Sequence, residues 1–251
     1  MPTVLACIDR STYAASVCDH AAWLAGPINA DLVVLHVEEH PDAPKSGLSG
    51  RDGAGAMVAT AVDRLRDAGA RVEGRIIAGR FPDVAAALGA DLIVMGKRGS
   101  GTEGDPQGLG SRVEGMIRAT EVTLCITSKV YLPVHRALAL LDADPTHRRS
   151  VEVMRAHPGL RDLEADLVVI AEDAEAAPKL AWARANLPSG NDEAFALPAR
   201  DVARGLAQYM STHAVDLIMI SRPVLFSDPT LSLSRMETEG LWAWRTPVIV
   251  C

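Results

Sequence analysis

The sequence is short of several things at once, and each shortage closes off a class of function. It has no apolar run of the roughly 18 residues that a membrane-spanning helix needs, and its first residues lack the pattern of a secretory leader. Aromatic residues make up only 4% of the chain. The core must therefore be built from Ala, Val, Leu and Ile, a composition that suits helices packed on a sheet. There is no basic excess: 25 Lys and Arg stand against 32 Asp and Glu, a formal charge of −7. That balance argues against a general binder of nucleic acid or anionic membrane. Only four cysteines occur, none in a Cys-x-x-Cys pair or beside a metal-like histidine spacing. Cys7 and Cys125 fall in apolar strands, Cys18 in a helix and Cys251 in a terminal strand, so they read as buried small hydrophobes. A cytoplasmic protein is expected. There is no Gly-x-Ser-x-Gly elbow and no Walker loop ending in Gly-Lys-Ser/Thr. The seven histidines are scattered, and His36, inside the Leu32–Val37 run, reads as a core or pocket-edge residue.

What the chain does have is concentrated in residues 91–112. Leu92 to Met95, bounded by Asp91 and Gly96, reads as a buried parallel strand. Gly96 and Gly99 follow, then a polar glycine-rich excursion, then Gly110-Ser111 opening a helical pattern. Glycines admit φ > 0 and close approach of a ligand to the backbone. A helix start adds unsatisfied N–H groups and the positive end of a dipole, which favour phosphate. Ser111 can cap that helix or offer its hydroxyl to the same anion, and Lys97 and Arg98 sit where charge would help. A βα turn whose glycines merely satisfy turn geometry fits the bare spacing equally well; the strand before and the helix after are the context a phosphate loop requires.

Elsewhere strands and helices alternate. Residues 3–9 read as a first strand ending in Asp9, and Ser11 or Thr12 as the N-cap of a helix over 14–25. Residues 31–37 form a second strand, and 38–56, rich in Pro, Gly and Ser, a mobile connection. A helix over about 57–68, a strand over 71–77, a helix over 82–88, a helix from Ser111 to about Thr120 and a strand over 122–127 complete the series. This βαβαβαβαβ order demands a parallel sheet with helices on both faces. Asp9 and the Gly96 loop both end strands, where such sheets bind ligands.

The pattern is then written again. Ala137–Asp142 echoes Val4–Asp9, Ala165–Val169 echoes Ala30–Val34, and Asp201-Val202-Ala203 echoes Asp83-Val84-Ala85. Asp216–Met219 echoes Asp91–Val94, Ser234–Glu237 matches Ser111–Glu114, and Thr246–Val250 matches the fifth strand. Two α/β domains of doubly wound parallel sheet follow, 1–132 and 133–251. The second places Ser221, Arg222 and Pro223 after its strand and Leu233 where Gly110 stands. Side chains and a proline crowd the approach that glycines leave open, so the second domain keeps the fold with a degenerate loop.

Gly96-x-x-Gly99, a spacer, then Gly110-Ser111 with Glu114 and Ile117-Arg118 resembles the nucleotide loop of the universal stress protein family. The spacer, Ser100–Leu109, is one residue longer than that family's usual one and carries Glu103 and Asp105. Over the whole chain the sequence is similar to tandem members of that family. The resemblance implies the adenine-nucleotide alpha-hydrolase-like fold and a stress-response protein that binds ATP, AMP or ADP, or none. It carries over Asp9 to the adenosine, the backbone of Val37 and Met95 to the base region, and Gly96, Gly99, Gly110 and Ser111 to phosphate. Arg112 stands where a smaller residue is usual; it could pair with phosphate, with Glu103 or Asp105, or be solvated. Three readings stand: a regulatory ATP binder with Mg²⁺ bridging the phosphates, a slow ATPase on the same scaffold, and a nucleotide-free interaction module. No catalytic residue or protein metal ligand is assigned. The resemblance also implies that the terminal strands of the two domains pair within one chain, with a homodimer on top.

Overall fold

The computed structural model describes residues 1–38, 51–100, 110–141, 149–170, 173–186, 194–197, 202–222 and 246–251. The chain divides into two compact units, one running to Tyr131 and the other from Leu132.

In the first unit, β1 (Thr3–Cys7) leads through α1 (Ala14–Ala25) to β2 (Asp31–Glu38), and α2 (Arg51–Asp67) leads to β3 (Val72–Ala78). The chain then passes through α3 (Phe81–Ala87) to β4 (Leu92–Gly96), and through α4 (Ser111–Ala119) to β5 (Thr123–Thr127). All neighbouring strands are parallel, in the order β3-β2-β1-β4-β5. Val4, Leu5, Ala6, Val34, Val94, Leu124 and Ile126 are fully or almost fully buried. Strands covered on both faces need such continuous apolar runs, which is why they stood out in the sequence. β1 is central. The chain fills the sheet on one side through β2 and β3, then crosses to the other through β4 and β5. Strand order therefore reverses between β1 and β4, where Cys7 is in register with Met95. A crevice opens beyond the carboxyl ends of strands at such a reversal.

The second unit repeats the design. Its strands are β6 (Arg136–Leu141), β7 (Glu164–Ile170), β8 (Ala194–Leu197), β9 (Leu217–Ile220) and β10 (Val248–Val250), in the order β10-β9-β6-β7-β8 and parallel throughout. Between them lie α5 (Arg149–Ala156), α6 (Pro158–Arg161), α7 (Asp173–Asn186) and α8 (Val202–Thr212). At the amino ends of its strands the unit buries a polar network. Asp166, 1% exposed, pairs with the Arg136 guanidinium at 3.2 Å and accepts the Tyr209 hydroxyl at 2.8 Å.

Two expectations need correction. The connection read as 38–56 is partly regular structure: Glu38 belongs to β2, and α2 begins at Arg51 with Gly53 and Gly55 inside it. Ala54 and Val58, 2% and 5% exposed, pack inward from α2; burial of that face outweighs a helix-propensity cost of about 1 kcal/mol per glycine. The helix start after β1 is also shifted. Tyr13 holds the N-cap position without a side-chain cap, while Ser11 Oγ accepts the Tyr13 amide at 3.3 Å one turn earlier. Residues 39–50, and the Pro223, Leu233 and Ser234–Glu237 positions of the second unit, lie outside the described residues.

Candidate functional site

The crevice at the β1/β4 reversal is a cavity of about 400 Å³, within the roughly 300–1,000 Å³ typical of small-molecule sites. Asp9, Val37, Met95, Gly96, Gly99, Gly110, Ser111 and Arg112 all line it. Parallel topology explains the gathering: β1, β2 and β4 end at the same edge of the sheet, so residues far apart in sequence become neighbours.

The cavity has two chemical ends. Val17, Val37, Phe81 and Met95 supply apolar surface, suited to a flat ring. Arg98, Gly99, Ser100, Ser111 and Arg112 supply amides, hydroxyls and guanidinium groups. Asp9 stands between them. Its Oδ1 accepts the Ser11 amide at 2.9 Å, and its Oδ2 accepts the Ser100 amide at 2.9 Å. Arg112 Nη1 lies 3.8 Å from the same Oδ2. The carboxylate thus ties the end of β1 to the glycine loop after β4.

The glycines are present for close approach, not for a left-handed turn. Positive φ among the described glycines occurs at Gly69, Gly79 and Gly89, not at Gly96, Gly99 or Gly110. A Cβ on Gly96 would stand 2.6 Å from Tyr13 Cβ, and one on Gly99 would stand 2.8 Å from Asp9 Oδ2. Gly96 therefore lets the start of α1 pack on β4, and Gly99 lets the carboxylate reach the loop. Turn geometry does not account for either residue.

Gly110, φ −59°, is the N-cap of α4, and its amide donates to Lys97 O at 3.0 Å. Ser111 is consequently the first helical residue rather than the cap, and it is exposed to the cavity. The first-turn amides of a helix lie outside its own hydrogen-bond ladder, and here they begin at the cavity wall. Of the two cations flagged beside the loop, Arg98 lines the cavity, while Lys97 is 3% exposed and is not part of the lining. Glu103 and Asp105 lie outside the described residues.

Some lining residues were not singled out from the sequence. Ser100 sat at the start of the spacer and Ser11 was read only as a cap. Phe81, just before the helix read over 82–88, carried no signal and is the first residue of α3. His36, by contrast, was read as a core or pocket-edge residue and is at the pocket edge: its Nδ1–H donates to Ile8 O at 2.9 Å, and Ile8 N–H donates to Leu35 O at 2.9 Å. Those two bonds fix the peptide preceding Asp9 against β2 and so aim the carboxylate. Cys7 also lines the cavity, and burial pushes its thiol well above the ordinary value. That thiol is a neutral wall, not a nucleophile.

Two tandem doubly wound α/β units, with a glycine loop and helix start at the first sheet's reversal point, define a two-unit α/β protein with a candidate ligand crevice in its first unit. The model of the universal stress protein family matches residues 1–127, and the chain belongs to that family. It is 23% identical over 255 aligned positions to a universal stress protein of Synechocystis sp. PCC 6803, covering 88% of this chain and 89% of that one. A universal stress protein of Archaeoglobus fulgidus has the same fold, with a TM-score of 0.67 at 17% identity over 99% of this chain and 95% of that one. A functionally unknown protein of Pseudomonas aeruginosa PAO1 also gives 0.67, at 15% identity over 100% of this chain and 92% of that one. At these identities the structural likeness establishes fold alone. Among the described residues no helix is long and apolar enough to cross a membrane.

Proposed function

We propose that the first unit binds an adenine nucleotide, ATP foremost, and that the protein acts as a cytoplasmic stress-response regulator through that binding. One observation carries the reading: a single cavity joins an apolar end, a carboxylate and an amide-rich glycine loop that leads to a helix start. Those three features suit a base, a sugar diol and phosphates in that order. Apolar walls at Val37, Phe81 and Met95 take the ring, Asp9 accepts sugar hydroxyls, and the amides near Gly99 and Ser111 take phosphate oxygens. The described residues contain no group of three or more His, Cys, Asp or Glu side chains able to hold a metal. Mg²⁺ would therefore arrive on the phosphates rather than in a protein cage.

The geometry favours binding over hydrolysis. A general base must have a basic atom aimed at water, and both oxygens of Asp9, the carboxylate between the two ends of the cavity, already accept backbone amides. The test is mass spectrometry of the natively purified protein for co-purified nucleotide, joined to calorimetry with ATP. Phosphate release with and without Mg²⁺ separates binder from enzyme. Absence of ATP binding in both measurements would leave the nucleotide-free interaction module.

A further inference from the structure

Asp9 occupies the position that the loop offers to an anion. Its Oδ2 accepts the Ser100 amide at 2.9 Å and lies 3.8 Å from the Arg112 guanidinium, in the space that Gly99 leaves open. Its Oδ1 is held separately by the Ser11 amide at 2.9 Å. A loop amide beside a glycine, with a guanidinium at a helix start, is a donor set that suits a phosphate oxygen. Here a carboxylate of this chain already uses it.

Resting on the nucleotide reading above, we infer that Asp9 is a specificity device that closes the loop to free phosphate and polyphosphate and opens it to nucleotides. Two anions cannot share the Ser100 amide and Arg112 without strong repulsion at a few ångströms. A free polyphosphate brings no hydroxyl donors, so it must displace the carboxylate with nothing offered in return. A nucleotide carries a sugar diol joined to its phosphates. The diol's O–H groups donate to the carboxylate and replace the hydrogen bond it gives up, while the Ser100 amide passes to phosphate. Sugar and phosphate then bind with positive coupling, because each completes a partner that the other releases. The device rejects the wrong ligand through a built-in competitor rather than through shape.

The experiment uses tripolyphosphate, adenosine and ATP in calorimetric titrations of the full chain. Asp9→Asn keeps an oxygen for the Ser11 amide and removes the charge. We expect tripolyphosphate to bind this variant at least about tenfold more tightly than wild type, roughly the worth of one charge-assisted hydrogen bond, while ATP binds more weakly. Unchanged or weaker tripolyphosphate binding overturns the inference. ATP binding to wild type tells whether the nucleotide reading survives that failure; if neither ligand binds either protein, both fall. Wild type alone gives a second test that needs no variant to fold. Saturating adenosine should raise tripolyphosphate affinity about tenfold, by the same reasoning. No enhancement, or competition between the two, overturns the inference as well.

Discussion

Replacing Gly99 by valine places a Cβ 2.8 Å from Asp9 Oδ2 and 3.9 Å from Arg112 Nη1. The close contact is with the end of a short side chain, not with backbone, so β4 need not move. Gly99 does not have a positive φ, which leaves valine an allowed backbone. The fold should survive. What is lost is the bond from the Ser100 amide to Asp9, worth about 1 kcal/mol at this exposed position. Ligand binding suffers far more. The two γ-carbons fill the space in which phosphate oxygens would meet the loop amides. Losing two charge-assisted hydrogen bonds at about 1.5–3 kcal/mol each removes roughly 3–6 kcal/mol, or about 10²- to 10⁴-fold in ATP affinity. Calorimetry reads the affinity, and circular dichroism with a thermal melt reads the fold. A folded Gly99→Val protein that binds ATP as tightly as wild type would move the site off this loop and refute the reasoning.

Three further outcomes are expected. Calorimetry should return one ATP per chain, because Ser221, wholly buried after β9, brings a side chain where Gly96 offers none; two equivalent sites would refute this asymmetry. All four cysteines should resist thiol reagents at pH 8 until denaturant is added. Burial raises each thiol above its ordinary value, Cys125 and Cys251 to about 12; rapid native labelling at any of them would contradict the packing. Stability should fall in acid through His20, whose Nδ1 bonds Ser16 O at 2.8 Å and whose buried Nε2 has no hydrogen-bond partner among the described residues. Burial lowers its pKa from the ordinary 6.5, so the unfolded chain takes up the proton first. Its contribution is complete above pH 6.5 and is lost as pH falls through that value toward the folded one. Urea unfolding of wild type and His20→Gln at pH 7 and pH 5 should show a smaller pH effect in the variant.

The central strands were legible because burial on both faces writes them as apolar runs, and the run from Leu92 to Met95 needs no context to be recognised. The candidate site was legible for a topological reason. Once the strands are parallel, every residue that ends one is delivered to the same rim, so Asp9 and Gly99 meet although 90 positions separate them. What stayed hidden depended on packing that spacing does not encode. Glycine content marked 51–56 as loop, yet the inward face of α2 at Ala54 and Val58 decides for helix. β8, Ala-Phe-Ala-Leu, is too short to rise above its surroundings. Lys97 and Arg98 are adjacent in sequence, but only Arg98 turns toward the cavity. The purpose of the loop glycines was hidden too, since Gly-x-x-Gly looks the same whether it serves φ or close approach.

The two units separate the requirements of the fold from those of the site. Both have the same strand order about a central first strand, β1 in one and β6 in the other, and both bury that strand and its β4 or β9 neighbour almost completely. The first unit gathers polar groups at the carboxyl rim, where Asp9 joins the loop. The second unit's strongest described polar network is at the opposite rim. There Arg136 and Tyr209 satisfy buried Asp166, while after β9 the buried Ser221 hydroxyl has no hydrogen-bond partner among the described residues. A satisfied buried carboxylate stabilises and fixes one packing; an isolated one would cost several kcal/mol. The Asp166 network is therefore a structural tie, and the Asp9 pair is different in kind. Asp9 is only partly buried and its loop bond is exposed, so breaking that bond costs little. A contact that opens at low cost is one a ligand can compete for, and that difference supports the proposal that binding belongs to the first unit.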